Sequence, residues 1–226
     1  MAINQLELDG ILIEILRKPI KNMSLRIYPP DGRVTISVPL KLRLDFISKQ
    51  IEAKRDWIHK QRAHFKAQAI APTHYESGEE HSFMGKNYPL LFLKTSKQKQ
   101  VILKDDLIHC FIRSDLSLAE RKKLLENWYR QQMKEQLPAL FAKWEAIIGV
   151  SATSWSIKVM KTRWGSCNPF RKHICLNLSL IKKPLICLEY VLVHELVHLL
   201  EASHNKRFHA FMDKFLPQWR IIKKML

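Results

Sequence analysis

The sequence predicts an α+β protein in which a strand-rich N-terminal lobe and a long basic helix precede a C-terminal lobe carrying a metal-binding helix. Three observations predict it. Leu25 and Ile27, then Val34, Ile36 and Val38, alternate with polar residues on either side of Pro29-Pro30-Asp31-Gly32, the pattern of two half-buried strands joined by a tight turn. After Pro39 the period changes, and Leu44, Ile47, Ile51, Trp57, Ile58 and Phe65 recur at helical spacing among Lys, Arg and Gln. Near the other end, the apolar run Tyr190-Val191-Leu192-Val193 leads into His194-Glu195-Leu196-Val197-His198.

In chain order, strands are expected from Ile11 to Leu40, then one long amphipathic helix over Leu44 to Phe65. Pro72, Ser77 and Gly78 end that helix, placing a soft boundary between residues 1–78 and 79–226, unless the two form one continuous domain. Further strands fit Ser82 to Leu93, Val101 to Leu103 and Leu107 to Arg113, with turns at Gly85-Lys86-Asn87 and Lys104-Asp105-Asp106. Ser117, with Glu120 three residues on, opens a second long helix by a capping box; Pro138 is placed to kink it and Gly149 to stop it. Trp155 to Met160 and His173 to Ile181 read as strands, and Pro184 starts the helix that runs through His198.

Composition sets the class. With 46% apolar and 26% charged residues and six Trp, the 226-residue chain can bury a core. No apolar run approaches the roughly 20 residues that a membrane-spanning helix requires. Met1 to Gly10 contain Glu7 and Asp9 and lack a basic start, so no secretory signal is expected and a cytoplasmic address is. Cys110, Cys167, Cys175 and Cys187 form no CxxC pair and are read as free thiols. The formal charge of +17 draws the chain towards polyanions such as nucleic acid, nucleotides or anionic membrane surfaces without naming one.

The chemistry concentrates in the pentapeptide. Histidines four apart on a helix project from one face and can grip a single ion, with Glu195 beside it. Zinc lowers the pKa of water to about 7, and a neighbouring carboxylate can take the proton and deliver it to a leaving group. A third ligand is needed. His204 follows His198 after five residues, as in HExxHxxGxxH, although Glu201 stands where that pattern has glycine. Ser203 and Asn205 suit a bend, so the motif helix is expected to end near Ala202 and another to start near Asn205, with His204 facing the site. Glu201, His209 and Asp213 compete for the position.

Arg163-Trp164-Gly165-Ser166-Cys167, then Leu176-Asn177, His194 to His198 and Ser203-His204, resemble the YgjP-like metallopeptidase-domain proteins in order and spacing. The resemblance extends to the N-terminal strands and to Lys54-Arg55-Asp56-Trp57-Ile58. It implies a minimal zincin-like lobe related to SprT-like proteins, three histidine ligands, here His194, His198 and His204, and Glu195 as base. Val197 departs from a frequent cysteine and His209 from a frequent tryptophan; neither departure removes a ligand.

The functional expectation is a zinc-dependent hydrolase, foremost a metallopeptidase acting on peptide or protein, with Arg163 or Tyr190 as candidate assistants. A phosphoanhydride hydrolase acting on nucleoside triphosphates would use the same metal and is favoured by the charge, but the chain has no GxxxxGK[ST] loop. A nucleic-acid-associated module or protease would use the basic helix from Lys49 to Lys66. Three ligands and an acid leave an open position, which argues against a purely structural metal.

Overall fold

The computed structural model describes residues 4–28, 31–67, 73–95 and 99–226, so the Pro29-Pro30 half of the expected turn and Pro72 lie outside the described residues. Contacts divide the chain into two compact units, 1–73 and 74–226.

In the first unit, strands β1 (Asn4–Leu8), β2 (Ile11–Lys18), β3 (Ser24–Tyr28) and β4 (Arg33–Pro39) form one sheet in the order β1-β2-β4-β3. β3 and β4 pair antiparallel, with Ile27 opposite Val34 and Leu25 opposite Ile36, as the alternation predicts. β1, which the sequence reading did not include, pairs antiparallel with β2, and β2 runs parallel to β4. Ile13, Ile15, Val34, Ile36 and Val38 bury one sheet face together with Ile47, Ile51 and Ile58.

The expected long helix is two: α1 (Leu44–Glu52) and α2 (Arg55–Ala67), separated at Ala53-Lys54. A straight helix over Leu44 to Phe65 would extend about 33 Å, beyond strands of five to eight residues that span roughly 17–27 Å. The break lets both pieces place isoleucines on the sheet. Asp9 holds the second piece, through Arg55 at 3.3 Å and His59 Nε2 at 2.8 Å.

The second unit opens with strands β5 (Glu80–Phe83), β6 (Lys86–Lys94), β7 (Gln100–Lys104) and β8 (Leu107–Ile112), in the order β5-β6-β8-β7. Two tight turns, Met84-Gly85 and Asp105-Asp106, have both residues at positive φ, the geometry that suits a two-residue hairpin. Helix α3 (Leu118–Ile148) starts at the expected capping box and stops at Gly149, whose φ of 76° is left-handed. It runs on through Pro138, and buries Leu125, Tyr129, Met133, Leu137, Phe141 and Trp144 along one stripe.

Strands β9 (Ser154–Lys158), β10 (Gly165–Asn168) and β11 (His173–Asn177) form a three-stranded sheet ordered β10-β11-β9. The strand expected through Ile181 ends at Asn177, and Leu178–Lys182 is a 3₁₀ turn, because the Asn177 side chain caps it by accepting from Ser179 N at 3.1 Å. Helix α4 (Leu185–Val197) follows, buried on nearly every side, and α5 (Lys206–Phe215) and α6 (Trp219–Lys223) close the unit around it. Trp144 Nε1 donates to Glu189 at 2.8 Å and ties α3 to α4. The helix bearing the motif is the most enclosed helix of the unit among the described residues. Among the described residues no helix is long and apolar enough to cross a membrane.

Candidate metal centre

Helix α4 presents His194 on its last turn, and His198 is its C-cap. The regular helix stops at Val197, five residues before the expected end. The next turn tightens: Leu199 N bonds to Leu196 O at 3.0 Å and Leu200 N to Val197 O at 2.9 Å, both i to i−3. That tightening, followed by bends at Ala202 and Ser203, turns the chain back. Asn205 then caps α5, its side chain accepting from Phe208 N at 3.0 Å, so the second helix starts where the sequence places it.

His204 is thereby returned to α4. Its Nε2 lies 2.9 Å from Nε2 of His194, and one nitrogen from each of His194, His198 and His204 falls within 4.8 Å of the others, a group able to hold a metal ion. His198 Nδ1 lies 3.1 Å from the Glu201 carbonyl. A carbonyl only accepts, so Nδ1 carries the proton and Nε2 is left with its lone pair, the outer-shell arrangement that orients a metal-ligating imidazole. Burial pushes the His194 pKa down to about 3, with His198, His204 and Lys223 adding to the effect, so the ring is neutral and able to donate a lone pair.

The competitors are engaged elsewhere. The Glu201 carboxylate accepts from Ser203 N and Oγ at 3.3 and 3.1 Å. Asp213 is held by Arg220 and by Trp219 Nε1, and the His209 ring stacks on Trp219 with centroids 5.6 Å apart.

Phe208 is 1% exposed and its ring centroid lies 4.9, 4.7 and 4.8 Å from those of His194, His198 and His204. It is the apolar floor on which all three imidazoles rest. The sequence reading missed it, although an apolar residue three after the Asn205 cap is an ordinary first-turn core position.

The three histidines line a cleft of about 760 Å³ together with Glu195, Arg163, Trp164 and Tyr190. Glu195 is 5% exposed, and burial raises its pKa to about 8, against the pull of Arg163. It fits beside β10 only because residue 165 is glycine: a β-carbon there would meet Glu195 Oε1 at 2.6 Å and Val191 Cγ1 at 2.9 Å. Cys167, also in the cleft, is a thiol whose pKa burial pushes up to about 11. All four cysteines are free. Tyr190 is buried with its ring stacked on Trp219, 6.5 Å between centroids and 7° from parallel, the setting of a supporting residue.

Asn177 organises the cleft wall. Its Nδ2 donates to the carbonyls of Met160 at 2.9 Å and Arg163 at 2.7 Å, and its backbone N–H donates to Trp164 O at 2.9 Å. The segment leading into β10 is thus pinned at three points, and Arg163 with it. β10 pairs only with β11, leaving its other edge unpaired among the described residues.

A model of the YgjP-like metallopeptidase domain matches residues 21–226. No curated protein matches the chain. Among solved structures it is similar to the metallopeptidase zymogen of Pyrococcus abyssi abylysin, at 21% identity and a TM-score of 0.36, over 38% of this chain and 88% of that one. That likeness is too partial to speak for fold or chemistry. The family match spans nearly the whole chain, and this protein belongs to the YgjP-like metallopeptidase-domain family.

Proposed function

We propose that the chain is a zinc-dependent peptidase whose metal is held by His194, His198 and His204 and whose general base is Glu195. The observation that carries the reading is the convergence of three imidazole nitrogens in the cleft that also buries Glu195. Three histidines without a fourth protein donor are the ligand set of a catalytic zinc, which keeps a position open.

The chemistry a bound zinc supplies is Lewis-acid charge, which polarises the scissile carbonyl and acidifies water. Glu195, whose ionised form a divalent cation held by the three histidines would favour, takes a proton from the attacking water as the water oxygen bonds to the carbonyl carbon. It then passes that proton to the amine nitrogen as the C–N bond breaks. Gly165 lets the carboxylate sit there, and the free edge of β10 gives an extended substrate backbone a strand to pair with. Arg163, held through its carbonyl by Asn177, lines the same cleft, and its charge acts on Glu195.

The test is to incubate the zinc-loaded protein with a denatured protein in ¹⁸O-water and read the products by mass spectrometry. The proposal predicts new peptides carrying ¹⁸O at their C-terminal carboxyl, abolished by a chelator and restored by zinc. The same incubation with a nucleoside triphosphate tests the alternative substrate, and hydrolysis of it without peptide cleavage would overturn the reading.

A further inference from the structure

Beyond the metal ligands, the cleft holds only three formally charged side chains among the described residues: Glu195, Arg163 and Lys223. Arg163 enters from the segment preceding β10 and Lys223 from the end of α6. Elsewhere in this unit cations near the motif helix are matched, Lys143 by Glu189 and Arg220 by Asp213. Arg163 and Lys223 have no ion-pair partner within 4.0 Å among the described residues.

Both line the same cleft as His194 and Glu195. Lys223 is set by its helix: Trp219 one turn earlier stacks on Tyr190 and His209, and the Lys223 Nζ lies 5.8 Å from the Trp219 ring. Arg163 is set by the Asn177 clamp on its carbonyl. Each cation thus stands on a fixed backbone in the wall of the cleft. The remaining lining beside them, Trp164, Val191, Pro169 and Tyr190, is mostly apolar.

We propose that Arg163 and Lys223 form an anionic-group subsite, so that the cleft selects peptides bearing a carboxylate close to the scissile bond. The proposal rests on the peptidase reading and names its substrate class. A peptide carboxylate suits both heads: the guanidinium fork accepts it in two parallel hydrogen bonds and the ammonium as a point charge. The carboxylate has two sources, an acidic side chain or a free C-terminus.

The test uses Glu195→Gln protein loaded with zinc, so that binding is read without turnover, through the fluorescence of Trp164 and Trp219 beside the two cations. Three short peptides are compared: one with a central Gln and an amidated C-terminus, one with Glu in place of that Gln, and one with Gln and a free C-terminus. The expected result is that one of the two carboxylate peptides binds about 10-fold or more tighter than the neutral peptide. The tighter one identifies the source. That advantage falls to near unity in Lys223→Gln or Arg163→Gln, and Lys223→Glu reverses it in favour of a Lys-containing peptide.

Equal binding of all three, or binding of none, overturns the subsite, as does binding of a nucleoside triphosphate without discrimination among the peptides. Failure of the peptidase reading shows separately, as absence of peptide turnover by the wild-type zinc-loaded protein.

Discussion

Gly165 and Glu195 approach so closely that a single methyl group between them would lie 2.6 Å from the carboxylate oxygen. Gly165→Ala should therefore move Glu195 without touching a histidine. The expected outcome is unchanged zinc content with peptide turnover reduced roughly 100-fold, the cost of misplacing a reacting group by about 1 Å. Zinc stoichiometry and steady-state cleavage measured on one preparation check it.

Asn177 is 4% exposed and satisfies both its donors and its acceptor on the backbone around the cleft. Asn177→Ala strands the carbonyls of Met160 and Arg163 and the N–H of Ser179 in a part-buried place. Stability should fall by about 2–3 kcal/mol, read from urea denaturation. Asn177→Asp keeps the acceptor and loses both donations to carbonyls, so it should recover little.

Phe208 supports all three imidazoles. Phe208→Leu keeps the site apolar but removes the flat floor, and is expected to cost about 1–2 kcal/mol in folding. Zinc affinity should fall roughly 10- to 100-fold, as for other losses of support behind a ligand. Competition against a chelator of known affinity measures it.

His81, buried on β5, gives the second unit a pH dependence of its own. Burial pushes its pKa below the usual 6.5; the Glu79 carboxylate, 3.2 Å away but off the hydrogen-bond direction, opposes this, and Lys182 adds to it. Tyr75 packs on its ring at 5.2 Å. A lowered histidine pKa means that the unfolded chain takes up the proton first. Stability is thus held above pH 6.5 and declines as pH falls through the window below it. His81→Gln should shrink the loss of urea midpoint between about pH 7.5 and pH 5.5 relative to wild type.

Much of this was legible in local signals. The alternation around Leu25 to Val38, the Ser117 and Glu120 capping box and the Asn205 cap each depend on neighbours a few residues away, and each element stands where its signal lies. The break at Ala53-Lys54 was not legible, because Ile47, Ile51 and Ile58 stay in helical phase across it and the limit on length comes from the sheet beneath. The early stop at Val197 escaped for a similar reason: residues 198–202 can continue a helix, and the i to i−3 turn answers to where His204 must go. HExxH spacing pointed to two of the three clustered histidines. The roles of Gly165, Asn177 and Phe208 arise from contacts between segments 30 or fewer residues apart in sequence but joined only by folding.

The most direct test of the central claim is zinc per chain, by mass spectrometry, together with peptide turnover, in wild type, Glu195→Gln and His204→Ala. The account predicts a single zinc in wild type and in Glu195→Gln and its loss in His204→Ala. Turnover should drop by roughly 10²–10⁴ in Glu195→Gln and vanish in His204→Ala. Full zinc occupancy in His204→Ala, or undiminished cleavage by Glu195→Gln, would contradict it.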